Sequence, residues 1–131
     1  MALHISIIAP DRTVWDADAE EVILPSSTGQ LGILRGHAPL LTALDVGVMR
    51  VRIDKDWTPI VLMGGFAEVE NDELTILVNG AEEGSKIDKA QAEKELEDMT
   101  IRFNEAVTSK EKIEATQNLR KARARVQAAT A

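Results

Sequence analysis

The sequence has no cysteine and no tyrosine among its 131 residues, and aromatics as a whole make up 3% of it. Without cysteine there can be no disulfide, no thiolate metal ligand and no cysteine nucleophile, so packing alone must hold the fold. Two Trp and two Phe are too few to build stacking platforms for single-stranded nucleic acid or aromatic sugar-binding surfaces. Positive charge is also in deficit: 15 Lys and Arg face 22 Asp and Glu, a net charge of -7, which excludes a highly cationic nucleic-acid binder. Long apolar runs are missing too. Ile60 to Met63, followed by two glycines, falls far short of the roughly 20 residues that cross a bilayer, so membrane association is expected to be peripheral. The opening Met1 to Ser6 has neither the basic flank nor the apolar stretch of a secretory signal, which points to an intracellular protein. What is present is a 44% apolar content with a mean hydropathy of -0.12, the composition of a folded chain of one domain plus a small appendage.

The first two-thirds read as short strands over 3–8, 13–24, 30–34, 46–53, 58–63, 66–70 and 74–78. Met49, Val51 and Ile53 alternate with Arg50, Arg52 and Asp54, the period-two pattern of a strand with one wet face. Turns are expected at Pro10-Asp11, Pro25 to Gly29, Asp54 to Trp57 and Asn71-Asp72. Many short strands so separated predict an N-terminal flattened antiparallel β-sandwich or barrel over residues 1–84.

After Gly84 the pattern changes. Residues 85–131 contain neither glycine nor proline and are rich in Ala, Glu, Lys, Arg and Gln, which favours helices. Asp88 can cap the first helix with Gln91 three residues on, and Ala92, Leu96, Met99, Phe103 and Val107 form one apolar stripe. Ser109 is placed to cap a second helix whose stripe is Ala115, Leu119, Ala122, Val126 and Ala129. The two stripes predict an antiparallel α-helical hairpin. Its alanine-rich seam buries little apolar area, at about 25 cal/mol per Å². The hairpin is therefore expected to be marginal, and the polar stretch Glu82 to Lys86 would let it dock and undock.

Charge divides unevenly between these parts. Residues 1–84 carry five basic and fourteen acidic side chains, and residues 85–131 carry ten and eight. No acid follows Glu114, while Arg120, Lys121, Arg123 and Arg125 do. A helix C-terminus favours such cations by itself, and an acidic partner surface would also attract them.

Candidates for chemistry are few. His4 falls in a strand and is read as a strand side chain; His37 lies in the loop Gly36-His37-Ala38-Pro39-Leu40-Leu41, a more suggestive setting. No HExxH or histidine cluster suggests a metal. Ser26, Ser27 and Asp45 could be combined with His37 into a hydrolytic set, but no GxSxG elbow marks them. Neither Gly29-Gln30-Leu31-Gly32 nor Gly64-Gly65 matches a phosphate-binding glycine loop. No catalytic constellation is expected.

Five blocks in order carry a family resemblance. They are Pro10-Asp11-Arg12-Thr13-Val14-Trp15-Asp16, Gly29-Gln30-Leu31-Gly32-Ile33-Leu34, Gly36-His37-Ala38-Pro39-Leu40, Leu62-Met63-Gly64-Gly65-Phe66-Ala67 and Leu119-Arg120-Lys121-Ala122-Arg123-Ala124-Arg125-Val126. Through them the chain resembles, end to end, the epsilon-subunit family of the F-type ATP synthase, in its cyanobacterial and chloroplast branch. The resemblance implies the same fold of sandwich and helical hairpin. It further implies a non-catalytic rotor subunit of the central stalk, peripheral to the thylakoid membrane on its cytoplasmic or stromal side. Its partners would be the gamma subunit, the c-ring and, transiently, the alpha and beta subunits.

By the same resemblance, Ser27, Thr28, Gly29, Gln30 and Leu31 would face the c-ring, and His37, Ala38, Pro39, Leu40 and Leu41 would approach gamma. Arg120, Lys121, Arg123 and Arg125 would meet an acidic stretch of the beta subunit when the hairpin extends and restrains ATP hydrolysis. Where many members carry an acid, this chain has Gln30, so a neutral hydrogen bond replaces a charged one. Some bacterial members bind ATP between the hairpin helices. The corresponding candidates are Glu82, Ile87, Asp88, Ala92, Lys121 and Arg125, but Gln91 stands where an Arg would be and Lys121 replaces another. An amide does not reproduce a bidentate arginine contact. No cofactor is therefore expected, with Asp88 as a helix cap and Arg125 as a solvated side chain. Set apart from the family, the same pattern fits a free-standing β-sandwich binding or oligomerisation module with a helical appendage.

Overall fold

A computed structural model describes residues 3–130. Eight strands come first: β1 (Leu3–Ala9), β2 (Arg12–Ala19), β3 (Glu21–Ser26), β4 (Gly29–Leu34), β5 (Leu40–Ile53), β6 (Asp56–Glu70), β7 (Glu73–Val78) and β8 (Ala81–Glu83). A 3-10 turn over Gly84–Lys86 then leads into the helices α1 (Lys89–Glu105) and α2 (Ser109–Thr130). The strands pair in the order β2-β1-β7-β6-β5-β3-β4, with β8 on β6. The ladder is open, so of the two expected forms it is the sandwich and not a closed barrel. All strand pairs are antiparallel except β1 with β7, which run parallel with Ile5 opposite Leu74.

The long strands β5 and β6 serve both layers. Their first and second halves pair with each other throughout, Leu40 with Val69 and Ile53 with Asp56. The second half of β6 also pairs with β7, while the second half of β5 pairs with β3. Folding such a pair across itself requires a sharp bend, and Gly64 and Gly65 supply it with φ of 85° and 150°. A Cβ on Gly65 would stand 2.0 Å from the Leu77 carbonyl oxygen, so only glycine fits. Between the layers lie Leu3, Ile5, Ile7, Val22, Leu24, Ile33, Met49, Val51, Ile60, Leu62, Leu74 and Ile76, each 1% exposed or less.

The sequence-level strand limits need four corrections. The expected strand 13–24 breaks at Glu20 into β2 and β3, because Glu20 turns outward and its carboxylate accepts a 2.8 Å bond from the Asp54 amide. Pro25 does not end β3, which continues to Ser26. Having no N–H to give, it instead coincides with a register shift against β5 between Ile23 and Ser26. Finally, β5 begins at Leu40, not Val46, and β6 runs through Gly64-Gly65 without interruption.

α1 starts as expected: Asp88 is its N-cap and accepts from the Gln91 amide at 3.1 Å. α2 is capped one residue earlier than expected. Thr108, not Ser109, accepts from the Glu111 amide at 3.1 Å, and the Glu111 carboxylate reaches back to the Val107 amide. The apolar face of α2 is wider than the expected stripe. Ala115, Leu119 and Ala122 are buried as predicted, but so are Ala124 and Ala128, which pack with Val48, Val61, Ile87 and Ala92 against the sandwich. The hairpin is thus docked on the sheet. This explains the unbroken apolar run Ile60 to Met63: Ile60 and Leu62 face the inner core, while Val61 and Met63 face α2.

The expected linker, Glu82 to Lys86, is ordered in β8 and the 3-10 turn. A Cβ on Gly84 would lie 2.5 Å from the Ala128 carbonyl oxygen, so a glycine is what lets α2 approach this closely. At the other end of the hairpin the seam gapes. Phe103 and Val107, expected on the seam, are exposed, and Met99, Ala106 and Ala115 line a cavity of about 330 Å³ there.

Candidate functional site

The β3–β4 hairpin presents Ser27, Thr28, Gly29 and Gln30 at the surface, with Leu31 partly buried against the inner core. The hydroxyl of Ser26 donates to the Gly29 carbonyl and closes the turn, and Gly29 takes a φ of 122°. The Ser27 amide donates to the Ala43 carbonyl at 3.1 Å, which places the tip beside the start of β5. The segment carrying Leu40 and Leu41 therefore adjoins the segment carrying Ser27 to Leu31. Sequence distance hid that adjacency.

The loop preceding β5 is pinned where it leaves β4. Gly36, at φ 84°, donates its amide to Asp72 at 2.6 Å, and the His37 amide donates to the Leu34 carbonyl at 3.1 Å. His37 Nδ1 lies 2.7 Å from the Ala38 carbonyl oxygen, a contact in which the ring must be the donor. Ser26 spends its hydroxyl within its own turn, on the Gly29 carbonyl.

Beyond this loop Leu41 is 70% exposed, and it does not stand alone. Phe66 is 57% exposed and Leu77 53%; Phe66 pairs across the sheet with both Ala43 and Leu77. Leu41, Ala43, Phe66 and Leu77 thus share the outer face of the sandwich layer that α2 leaves uncovered. Sequence reasoning assigned Phe66 and Leu77 only to strands. The available signal was phase: Leu74, Ile76 and Val78 point inward, so Leu77 must point out. An outward cluster of large apolar residues marks a contact surface.

The four cations that follow Glu114 on α2 divide in the docked hairpin. Arg120, Lys121 and Arg123 are exposed, and Arg120 and Arg123 line a cavity of about 300 Å³ with Asp45 and Gln127. Arg125 is different. Its side chain is 20% exposed, its Nη1 donates to Glu95 on α1, its Nη2 donates to Glu82 on β8 at 3.3 Å, and its Nε lies 3.2 Å from the same Glu82 carboxylate. The expectation of a solvated Arg125 is thereby corrected. Burial works against the guanidinium charge, but the bond to Glu95 and the charges of Glu82 and Glu95 outweigh it and hold its pKa above the ordinary value.

Of the nucleotide candidates, Glu82 and Arg125 are joined by this ion pair. Ala92 and Ile87 are buried in the cluster under α2, Asp88 caps α1, and Lys121 is solvent-exposed. Among the described residues, no group of three His, Asp or Glu side chains is arranged to hold a metal ion.

A second polar cluster was missed. His4 on β1 holds Asp18 at 2.7 Å through Nδ1 and Asp16 at 3.1 Å through Nε2, and Ser6 donates to Asp16 at 3.1 Å. The Asp18 bond, with the charge of Asp16 added, raises the His4 pKa above its ordinary value. Stabilisation from this cluster is fully present below the unfolded imidazole value of about 6.5 and is lost as pH rises through the raised native value. An NMR titration of the His4 ring should therefore give a midpoint above that of a free imidazole. The Asp18→Asn variant should bring it down; an unchanged midpoint would remove the cluster's electrostatic role.

An open sandwich with an uncovered apolar patch on one face and a helical pair seated on the other is the build of a two-part adaptor that works through contacts with other chains. Comparison with known proteins makes the class specific. Residues 2–84 match the family model described as ATP synthase, Delta/Epsilon chain, beta-sandwich domain, and residues 85–130 match ATP synthase, Delta/Epsilon chain, long alpha-helix domain. The chain belongs to the delta/epsilon family of ATP synthase chains, on its epsilon branch with chloroplast and cyanobacterial members.

Its similarity to the chloroplastic ATP synthase epsilon chain of Guillardia theta is 81% identity over 131 residues, covering 100% of both chains. With the corresponding chain of Porphyra purpurea it is 76%, covering 100% of this chain and 98% of that one. With the ATP synthase epsilon chain of a Cyanothece species it is 64%, covering 98% and 96%. The fold is shared with a chain in the Euglena gracilis mitochondrial ATP synthase structure containing OSCP, F1 and the c-ring. That match has a TM-score of 0.85 at 20% identity and covers 99% of this chain and 82% of the other.

Proposed function

We infer that the chain is a non-catalytic rotor subunit of the central stalk of a proton-driven F-type ATP synthase. Its sandwich, residues 1–84, would join gamma to the c-ring, and its hairpin, residues 85–131, would restrain ATP hydrolysis. It would sit peripherally on the cytoplasmic or stromal side of a thylakoid membrane, held through the complex. No helix among the described residues is long and apolar enough to cross a membrane. The observation that carries this reading is the uncovered group Leu41, Phe66 and Leu77 beside the β3–β4 tip. One end of the sandwich thereby offers an apolar face for gamma, through Leu41 with His37 to Leu40 behind it. It also offers the polar turn Ser27 to Gln30 for the loops of the ring.

Regulatory ATP is not part of this reading. Arg125, the candidate phosphate ligand, already spends its guanidinium on Glu82 and Glu95, and two carboxylates repel a third anion from the same site.

Co-purification tests the assignment: the tagged chain expressed in its native host should carry gamma and the c-subunit with it. Phe66→Asp combined with Leu77→Asp should weaken capture of gamma by about 100-fold, since two buried apolar side chains are worth about 1.5–3 kcal/mol each and 1.4 kcal/mol is tenfold. Both side chains point into solvent in the free chain, so its fold should survive the change. Recovery of the chain without gamma or c-subunit would favour the free-standing module instead.

A further inference from the structure

We propose that Arg125 is the clasp that sets how much of the time the hairpin lies on the sandwich. Three elements meet at this side chain: it belongs to α2, Glu95 to α1 and Glu82 to β8. Nη1 goes to Glu95, while Nη2 and Nε lie 3.3 Å and 3.2 Å from the two oxygens of Glu82. One guanidinium therefore closes the hairpin upon itself and fastens it to the sheet in the same act. Elsewhere on this interface the contacts are weak. Ala92, Ala124 and Ala128 meet Val48, Val61 and Ile87, with Met63 and Val126 packed at the margin, and each alanine has one methyl to bury, so this packing contributes less than a leucine-lined seam would.

The clasp is well made to hold and also to release. Arginine's planar fork holds two carboxylates in a fixed geometry, whereas lysine's compact ammonium acts as a point charge without that fork. Its side chain is 20% exposed, and those of Glu82 and Glu95 are 39% and 36%, so water can take over their bonds when the helices leave. The Nε is buried and, despite its 3.2 Å approach to Glu82, lacks the alignment of a hydrogen bond; the docked state thus leaves one donor unsatisfied. Released, Arg125 would join Arg120, Lys121 and Arg123 as a fourth exposed cation in this stretch of α2. A carboxylate-rich neighbour could therefore replace Glu82 and Glu95 as partner and draw the equilibrium away from the sandwich. The clasp rests on these contacts alone, and only its bearing on hydrolysis rests on the function proposed above.

Because the chain has no native cysteine, Asp45→Cys and Gln127→Cys can be spin-labelled in the full-length protein. Both positions line the cavity between β5 and α2. The unmodified clasp should give mainly a short inter-label distance. Arg125→Gln should shift the ratio of long to short distances about tenfold, the scale of losing charge-assisted hydrogen bonds in a part-buried site. Glu95→Gln, which leaves the sandwich untouched, should shift it in the same direction, and Arg125→Lys should fall between. Arg123→Gln removes the same charge two residues away and should change nothing. Equal populations in Arg125→Gln, Glu95→Gln and the parent would overturn the clasp. A shift that leaves hydrolysis by the assembled complex unchanged would uphold the clasp and count against the restraint of hydrolysis.

Discussion

Gly65→Ala should prevent the sandwich from forming, or leave it unfolded near room temperature. The added Cβ would lie 2.0 Å from the Leu77 carbonyl oxygen and 2.8 Å from the Val78 Cα, and neither belongs to a flexible side chain. The backbone φ of 150° adds a conformational cost, about 1–3 kcal/mol for a side-chain-bearing residue. Relieving the clash means parting β6 from β7, whose ladder from Gly65–Val78 to Glu70–Glu73 carries one layer of the core. Overpacking typically costs about 1–3 kcal/mol, so the two come to about 2–6 kcal/mol, enough to cancel the stability of a domain at the lower end of the usual about 5–15 kcal/mol. Loss of cooperative thermal unfolding is expected. A variant melting within a few degrees of the parent would mean that the bend does not depend on this glycine.

The second large effect concerns the cations that remain free when the hairpin is docked. Changing Arg120, Lys121 and Arg123 together to alanine should raise ATP hydrolysis by the assembled complex about threefold to tenfold without impairing assembly. These three side chains are exposed, and alanine is the best helix former, so α2 should persist. If the extended hairpin restrains rotation through opposite charge, each removed cation weakens that contact by about 0.2–1 kcal/mol. The effect should shrink as ionic strength rises, because exposed pairs are screened within about 8–10 Å in salt. Arg125 is left in place so that docking and contact remain separate. An unchanged hydrolysis rate would argue that these cations serve solubility only, since α2 runs on to Thr130 and has no basic residue in its last turn.

The residues explain how much of this could be read in advance. The hairpin was legible because two stripes at helical spacing lie in a stretch without Gly or Pro, and the Asp88 cap follows from its neighbours alone. The core strands were legible wherever one face is wet, as in Met49 to Asp54. Local pattern does not encode which strands share a layer, so the parallel pairing of β1 with β7 and the split at Glu20 went unread. Contacts between distant segments stayed hidden for the same reason. The adjacency of Ser27 and Ala43, the His4 cluster with Asp16 and Asp18, and the meeting of Arg125 with Glu82 all join residues far apart in sequence. The second buried face of α2, Ala124 and Ala128, was masked because alanine on a helix reads equally well as propensity or as packing. The outward cluster of Leu41, Phe66 and Leu77 could have been found by following the phase of each strand to its end.

The account turns on whether the helices must leave the sandwich for hydrolysis to be restrained. A thiol-reactive cross-linker of short span, joining Asp45→Cys to Gln127→Cys across their shared cavity in the otherwise cysteine-free chain, fixes the docked state within the assembled complex. With the link in place, ATP hydrolysis should rise to the level of a complex carrying the sandwich alone. Cleaving the link should bring it back down. Hydrolysis that stays equally restrained while every copy is linked would contradict the account.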